Sequence, residues 1–223
     1  GDTVAFIGST GSGKSTLVNL IPRFYDATEG TIKVDGVNVR DYDHDTLHKI
    51  VGYIPQKAVL FSGDITSNMD MGDSNSSPLD DDKIWEALDL AQGRDFVESK
   101  EGQLKAPVSQ GGQNFSGGQK QRLAIARALA RKPEIIIFDD SFSALDYKTD
   151  RILRSQLKER TANMTKLIVA QRISTIMDAD QILVLDEGKV VGQGTHEELL
   201  ANNEVYREIA YSQLSKEELE NGK

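Results

Sequence analysis

The sequence predicts an α/β protein with a mainly parallel sheet, antiparallel additions and an inserted helical region. Short apolar runs of strand length alternate with segments of helical periodicity, which is typical of βαβ units. Two other segments have the pattern of hairpins, because each places an acidic residue and a glycine between two apolar stretches. A polar stretch rich in Asn, Asp, Ser, Gly and Gln interrupts the alternation near the middle of the chain.

Five apolar runs are the candidate buried strands. In chain order they are TVAFI, VGYI, EIIIF, TKLIVA and QILVL. The first hairpin is GTIKVDGVNV, which turns at Asp35-Gly36, and the second is QILVLDEGKVVGQG, which turns at Glu187-Gly188. We expect both hairpins to be antiparallel additions to the parallel core.

The 223 residues fit one domain, and we expect the polar stretch at residues 62–122 to be a helical subdomain inserted into it. Its one clear amphipathic helix is DDKIWEALDLAQ, with Ile84, Leu88 and Ala91 on one face. The predicted parts of the single domain are a core of residues 1–61 and 123–213, the subdomain of residues 62–122, and a polar tail of residues 214–223.

The composition argues against several classes of protein. The 35 acidic and 26 basic residues give a net charge of -9, so general attraction to nucleic acid or anionic lipid is not expected. The absence of cysteine excludes disulfides and thiolate metal ligands. No apolar run approaches the roughly 18 to 20 residues that span a bilayer. We therefore expect a soluble piece in which any phosphate binds at a local site.

Residues 8 to 15, GSTGSGKS, fit the pattern G-x-x-x-x-G-K-[ST] of a phosphate-binding loop, between a predicted strand and a predicted helix. Gly11 and Gly13 allow a bend whose N–H groups face a phosphate. Lys14 supplies positive charge to the β- and γ-phosphates, and the Ser15 hydroxyl can bind Mg²⁺. The residues predicted to contact the nucleotide here are Gly8, Ser9, Thr10, Gly11, Ser12, Gly13, Lys14, Ser15 and Thr16.

The apolar run EIIIF is closed by two adjacent carboxylates, Asp139 and Asp140. A nucleoside triphosphate site needs a carboxylate from a neighbouring strand to hold its metal ion. Asp139, at the carboxyl end of a buried parallel strand, is in the expected place. Because an apolar run that ends in Asp is common in α/β proteins, this assignment depends on the phosphate-binding loop.

A second predicted helix start is also suited to an anion. Ser116, Gly117 and Gly118 open a long basic helix within NFSGGQKQRLAIARALARKPE, which we expect to end at Pro133. A single nucleotide does not need two such sites from one chain. We therefore expect a second copy or a partner chain to face this segment, with Ser116, Gly117, Gly118 and Gln119 contacting its nucleotide.

Together these motifs resemble the nucleotide-binding domain of ATP-binding cassette (ABC) transporters, over essentially all 223 residues. GSTGSGKST resembles the Walker A loop, IIIFDD the Walker B strand and NFSGGQ the family signature. Gln56 in YIPQKAVLFSGDI resembles the Q-loop, and SALD at residues 143 to 146 resembles the D-loop. LIPRFYDATEGTIKVDGVNVRDY further resembles the exporter branch, which carries six membrane helices per half-transporter.

The resemblance implies a P-loop NTPase (RecA-like) core that binds ATP and Mg²⁺. Ser15, Gln56 and Asp139 would bind the metal, while Gln56, Asp140 and Gln171 would take part in hydrolysis. Two such domains would enclose two ATP molecules, each between one chain's Walker A loop and the other's signature, and would drive transmembrane domains from the cytoplasmic face of the membrane. Because the chain enters a strand pattern within two residues of its start, we expect a fragment without its first strand and transmembrane domain.

Two positions depart from the family pattern. The residue after the Walker B aspartate is usually a glutamate that polarises the attacking water, but here it is Asp140, one methylene shorter. Misplacement by about 1 Å costs on the order of 100-fold in rate. The switch position, usually histidine, is Gln171, which forms hydrogen bonds but carries no positive charge toward a γ-phosphate. Phe115 also replaces the usual leucine, and the GERG run is absent, but SGGQ remains.

These departures resemble heterodimeric exporters with one degenerate site. We hypothesise that this site binds MgATP but hydrolyses it slowly, while Ser116 and its glycines complete the efficient site of a different partner chain.

One alternative is a soluble ATPase of the same superfamily acting on DNA or ribosomes. Residues 14–116 leave no room for a long coiled-coil arm, and the acidic charge provides no nucleic-acid stripe. The other alternative is a non-catalytic ATP-binding regulatory module.

Some polar and aromatic residues have an ordinary structural interpretation. His44, His48 and His196 lie in polar stretches without acidic partners at ligand spacing, so we expect them at the solvated surface. Tyr25 and Tyr53 lie near strand ends. The family usually stacks adenine on an aromatic residue upstream of the Walker A strand, in a stretch that this sequence does not include.

Overall fold

The structure, a computed structural model, describes residues 1–71 and 77–214. The strands are β1 (Thr3–Gly8), β2 (Lys33–Val34), β3 (Val37–Asn38), β4 (Val51–Ile54), β5 (Gly63–Asp64), β6 (Pro107–Val108), β7 (Ile135–Asp139), β8 (Thr165–Val169), β9 (Gln181–Asp186) and β10 (Lys189–Gly194). The central sheet has the order β10-β9-β1-β8-β7-β4. In it β10 is antiparallel to β9, whereas the other neighbours are parallel. The predicted mainly parallel α/β fold is confirmed.

The central strands are largely apolar because both faces of the sheet are covered. Successive residues of a strand point to opposite faces. Ala5, Ile7 and Phe138 belong to one buried apolar cluster, whereas Phe6 and Ile137 belong to another. The sheet therefore separates two cores, and its strands show continuous apolar runs rather than alternation.

Both predicted hairpins form, and one of them joins the central sheet. The β9–β10 hairpin turns at Glu187 and Gly188, which have positive φ angles of 45° and 77°. The β2–β3 hairpin turns at Asp35 and Gly36, with φ angles of 49° and 79°. Within the described residues β2 and β3 form a separate two-stranded sheet, which corrects the expectation that they extend the parallel core. Val34 of β2 packs in the second core instead, whereas Val37 of β3 is exposed.

The helices supply the layers on either side of the sheet. They are α1 (Lys14–Asn19), α2 (His44–Ile50), α3 (Ile65–Met69), α4 (Asp81–Leu90), α5 (Arg94–Glu98), α6 (Gly117–Ala130), α7 (Tyr147–Arg160), α8 (Ile173–Ile176), α9 (His196–Asn202) and α10 (Glu204–Gln213). Polar side chains cap several of them. For example, the Asp146 carboxylate accepts a hydrogen bond from the Thr149 N–H at the start of α7.

The helical region between β4 and β7 shares its core with the sheet. Ile84, Leu88 and Ala91 are buried on one side of α4, as the amphipathic pattern predicts. The boundary predicted at residue 122 lies inside α6, which continues without interruption to Ala130. Residues 72–76 of the predicted subdomain and residues 215–223 of the predicted tail lie outside the described residues.

His196 is buried, so the expectation that it lies at the solvated surface is wrong. Its Nδ1 lies 2.7 Å from the Tyr206 hydroxyl, and the two rings meet edge to face. The first residue of α9 is turned toward α10, a tertiary contact that the polar local sequence does not reveal. His44 and His48 are exposed as predicted.

No helix in the parts of the chain that the structure describes has both the length and the apolar character needed to cross a bilayer.

Candidate functional site

The carboxyl ends of four neighbouring parallel strands meet at one edge of the sheet. The glycine loop follows β1, Gln171 follows β8, and Gln56 follows β4. Asp139 is the last residue of β7, and Asp140 comes directly after it. Ligands of open α/β sheets bind at this edge. The fold therefore brings residues from distant parts of the sequence to one place.

The loop between β1 and α1 depends on glycine at three positions. Gly11 and Gly13 have φ angles of 83° and 96°, in the left-handed region that favours glycine. A Cβ atom on Gly8 would overlap the carbonyl oxygen of Leu185. Residues 9–11 are exposed, so the bend presents its backbone to solvent.

Lys14 is the first residue of α1, and its side chain is buried beneath the loop. The ammonium group donates to the carbonyl oxygens of Gly8 and Ser9, at 2.8 and 2.9 Å, and lies 3.3 Å from the Ser12 hydroxyl. Burial lowers the pKa of Lys14, and the charges of the two carboxylates at the end of β7 oppose this shift. The loop therefore holds the ammonium group of Lys14 close to the glycine bend that faces solvent.

The side-chain oxygens of Ser15 and Asp139 form a hydrogen-bonded pair. The Ser15 hydroxyl donates to Asp139 Oδ1 at 2.7 Å. The Tyr53 hydroxyl donates to the other carboxylate oxygen, Oδ2, at 2.8 Å. Burial and the contact with Asp139 raise the pKa of Tyr53, so it remains a proton donor over the whole physiological range. Hydroxyl and carboxylate oxygens are ligands that Mg²⁺ prefers, so this pair fits the predicted metal.

Asp140 is the centre of a second hydrogen-bonded group. Its Oδ2 accepts from Gln56 Nε2 at 2.8 Å and from Gln171 Nε2 at 2.9 Å. Gln56 follows β4 and Gln171 follows β8, the two strands that flank β7 in the sheet. Of the three residues that the resemblance associates with hydrolysis, Gln56 and Gln171 therefore each contact Asp140 directly.

The backbone and environment of Asp140 are unusual. Its φ angle is 50°, a left-handed conformation that few residues other than glycine adopt. Burial raises the pKa of the Asp140 carboxyl, and the nearby charge of Asp139 adds to this effect. The hydrogen bond from Gln56 and the positive charges of Arg172 and Lys14 act in the opposite direction. Asp140 is therefore a strained and poorly solvated carboxylate.

The segment at the start of α6 caps its own helix. The Ser116 hydroxyl accepts from the Gln119 N–H at 3.2 Å, and the Gln119 side chain accepts from the Ser116 N–H at 3.0 Å. Ser116 and Gly117 are exposed. No hydrogen bond joins residues 116–119 to residues 8–16 in the described structure. The start of α6 is therefore accessible to another molecule.

Sequence reasoning missed the role of Tyr53. The residue pairs with Ile137 in the neighbouring strand β7, and Asp139 lies two residues further on the same face. This register places the Tyr53 hydroxyl on the carboxylate. The tyrosine near the end of a predicted strand is visible in the sequence, but the pairing of β4 with β7 is not.

A glycine bend at a helix start, a buried lysine and a serine that contacts a strand-end aspartate define a P-loop nucleoside-triphosphate-binding domain. A sequence profile described as ABC transporter matches residues 1–143. The chain belongs to the ABC transporter family.

Relatives extend the match beyond residue 143. An uncharacterized ABC transporter ATP-binding protein of Mycobacterium bovis is 49% identical over 213 residues, which is 96% of this chain and 36% of that protein. A putative multidrug export ATP-binding/permease protein of Staphylococcus aureus is 41% identical over 94% of this chain and 36% of its own length. The solved structure of a bacterial Atm1-family ABC exporter with ATP bound is 37% identical over 94% of this chain and 36% of that chain, with a TM-score of 0.88. The chain therefore spans 36% of the length of these relatives.

The Tyr53 contact predicts an effect on metal binding. Tyr53→Phe removes the hydrogen bond that orients Asp139, so the affinity for Mg²⁺ in the presence of ATP should fall by about 10-fold, a usual result of losing a residue that orients a ligand. A calorimetric Mg²⁺ titration at fixed ATP measures this. Tyr42→Phe is the matched control, because it removes a hydroxyl bonded to the Val34 carbonyl instead. Equal Mg²⁺ affinities in the two variants would contradict the prediction.

The burial of Asp140 predicts a pH-dependent stability. Since the pKa of Asp140 is higher in the folded than in the unfolded chain, the ionised carboxylate destabilises the fold at neutral pH. Asp140→Asn should therefore raise Tm at pH 7 to 8, because the Asn carbonyl can still accept from Gln56 and Gln171. The gain should shrink as the pH falls through the raised pKa toward the ordinary value. Calorimetric melting from pH 8 to pH 4 tests this, and a gain independent of pH is the contrary result.

Proposed function

We propose that this chain is the ATP-binding domain that powers a membrane exporter. The ATP site of this chain binds MgATP but hydrolyses it slowly. In this proposal its α6 start completes the efficient ATP site of a second, different nucleotide-binding domain. The family membership and the exporter relatives support the coarse assignment. The arrangement of residues around Asp139 and Asp140 supports the finer one.

The contact between Ser15 and Asp139 is the observation that carries the proposal. It joins the phosphate-binding loop to the end of β7 at 2.7 Å and supplies two ligands for one metal ion. Bound Mg²⁺ would neutralise charge on the transferred phosphoryl group. Lys14 would bind phosphate oxygens, and Tyr53 would hold Asp139 in place.

Slow hydrolysis follows from the way Asp140 is held. The residue is one methylene shorter than glutamate, and both glutamine amides bond to one of its oxygens. A carboxylate in this position can accept a proton from water, but its short side chain keeps it back from a water near the γ-phosphate. Gln171 donates a hydrogen bond without adding positive charge. The site therefore suits nucleotide binding better than turnover.

Two surfaces support the proposed partners. The exposed Ser116 and Gly117 at the start of α6 suit the nucleotide of a facing domain. Val59, Phe61 and Met71 are exposed apolar side chains beside one groove, which suits a segment of the chain's own transmembrane domain. In the full-length protein these contacts would place the domain at the cytoplasmic face of the membrane.

The asymmetry of the pair is tested by removing the loop lysine from each chain in turn. In a reconstituted pair, Lys14→Ala should leave most of the ATPase activity, whereas the equivalent change in the partner should lower it by about 100-fold or more, the usual effect of losing a group that stabilises the transition state. Lys33→Ala, at an exposed position, is the control. Equal losses from the two chains would exclude the asymmetry. Absence of MgATP binding to the wild-type chain in calorimetry would exclude the site itself.

The two departures are tested by restoring the usual residues. Asp140→Glu together with Gln171→His should raise hydrolysis at this site on the order of 100-fold, because the longer acid recovers about 1 Å of reach. Single-turnover hydrolysis is measured while the partner's site is silenced. Asp140→Asn with Gln171→His is the control, since it has no base. If the restored site remains as slow as the wild type, another feature limits it.

A further inference from the structure

The segment that carries Gln171 is held by a glutamine from the end of α10. Gln213 Nε2 donates to the Gln171 carbonyl oxygen at 2.7 Å, and Gln213 Oε1 accepts from the Ile173 N–H at 2.8 Å. One side-chain amide thus bonds the backbone on both sides of Arg172. This clamp spans 40 residues of sequence, so local structure alone does not create it.

The clamped segment contacts two other parts of the site. The Gln171 side chain donates to Asp140 Oδ2 at 2.9 Å. Arg172 donates to the Ser143 carbonyl oxygen at 3.0 Å, in the SALD segment. The position of the segment therefore decides whether Gln171 reaches the carboxylate.

The element that supplies Gln213 is firmly packed. Tyr206 and Ala210 of α10 are fully buried, and the Asn203 side chain accepts from the Tyr206 N–H at 2.8 Å. Asn203 also donates to the Val191 carbonyl at 3.0 Å, which fixes the start of α10 to β10. A packed helix presents a side chain in a more defined position than a loop does.

We propose that Gln213 is a positioning residue for the hydrolytic group, which makes α10 part of the control of this ATP site. The inference rests on the proposed function, because it concerns turnover at that site. Gln213 fixes the backbone of Gln171 and Ile173 by two hydrogen bonds. The Gln171 side chain in turn donates a hydrogen bond to Asp140. Without this clamp, Asp140 keeps its bond to Gln56 and loses a fixed second donor.

The proposal predicts that Gln213 affects the rate of ATP hydrolysis but not the affinity for MgATP. None of the hydrogen bonds of Lys14, Ser15 and Asp139 involves Gln213. Loss of the clamp should therefore lower the rate of hydrolysis and leave the affinity for MgATP unchanged. A role confined to holding α10 on the domain would not depend on which residue occupies position 171.

The test uses Gln213→Leu and the isosteric Gln213→Glu in the paired transporter, with the partner's site silenced. Both remove the donor to the Gln171 carbonyl, and the glutamate provides a second variant in case the leucine impairs folding. Single-turnover hydrolysis should fall on the order of 10-fold, since misplacement by about 1 Å can cost about 100-fold, while the Kd for MgATP should not change. In Gln213→Leu, hydrogen exchange at the Ile173 amide should rise by about 10-fold. Ser212→Ala is the matched control, because it removes a bond within α10 only.

A double-mutant cycle tests whether Gln213 affects hydrolysis through Gln171. In a Gln171→Ala background, Gln213→Leu should cause no further loss of turnover, because the side chain it positions is gone. The same loss in both backgrounds, or a changed Kd, would overturn the positioning role. If the wild-type site binds MgATP and Gln213→Leu hydrolyses it at the wild-type rate, this inference alone fails. If the wild-type site binds no MgATP, both the proposed function and the inference about Gln213 fail.

Discussion

The register of the three parallel strands β1, β8 and β7 is the constraint on which the site depends. Phe6 lies opposite Val169, and Val169 lies opposite Asp139, so the three strands reach the same edge at the same level. The strand β8 lies between the glycine loop and the carboxylates, and the segment that follows it carries Gln171. A shift of one residue in either pairing would reverse the faces to which these side chains point. The apolar side chains of two cores fix this register, and the polar site is a consequence of it.

The charges of the site are balanced across short distances. Lys14 is buried, and burial alone would favour loss of its proton, but the carboxylates of Asp139 and Asp140 favour the charged form. The same two carboxylates repel each other, which adds to the raised pKa of Asp140. A bound cation beside Asp139 would reduce this repulsion. The site is thus arranged for a charged ligand at some expense of stability, as expected of functional sites.

The sequence predicts those features that short segments determine. An acidic residue followed by glycine predicts the turns at Asp35-Gly36 and Glu187-Gly188, and in both turns the two residues have the left-handed conformation. The spacing of the glycines and the lysine predicts the phosphate-binding loop. Features that need the tertiary structure were missed. Tyr53 contacts Asp139 through strand pairing, Gln213 reaches Ile173 from another helix, and His196 is buried by α10. The predicted boundary at residue 122 follows a change of composition, although α6 continues through it.

The two departures at positions 140 and 171 belong to one hydrogen-bonded arrangement. Gln56 and Gln171 stand at 2.8 and 2.9 Å from the same oxygen of Asp140. A glutamate at position 140 would extend its carboxylate by about one C–C bond, roughly 1.5 Å. The short acid at position 140 and the amide at position 171 are in direct contact, so a longer acid would change the geometry of this contact. The two departures therefore lie in one hydrogen-bonded group, which supports the proposal of a single slow site rather than two unrelated changes.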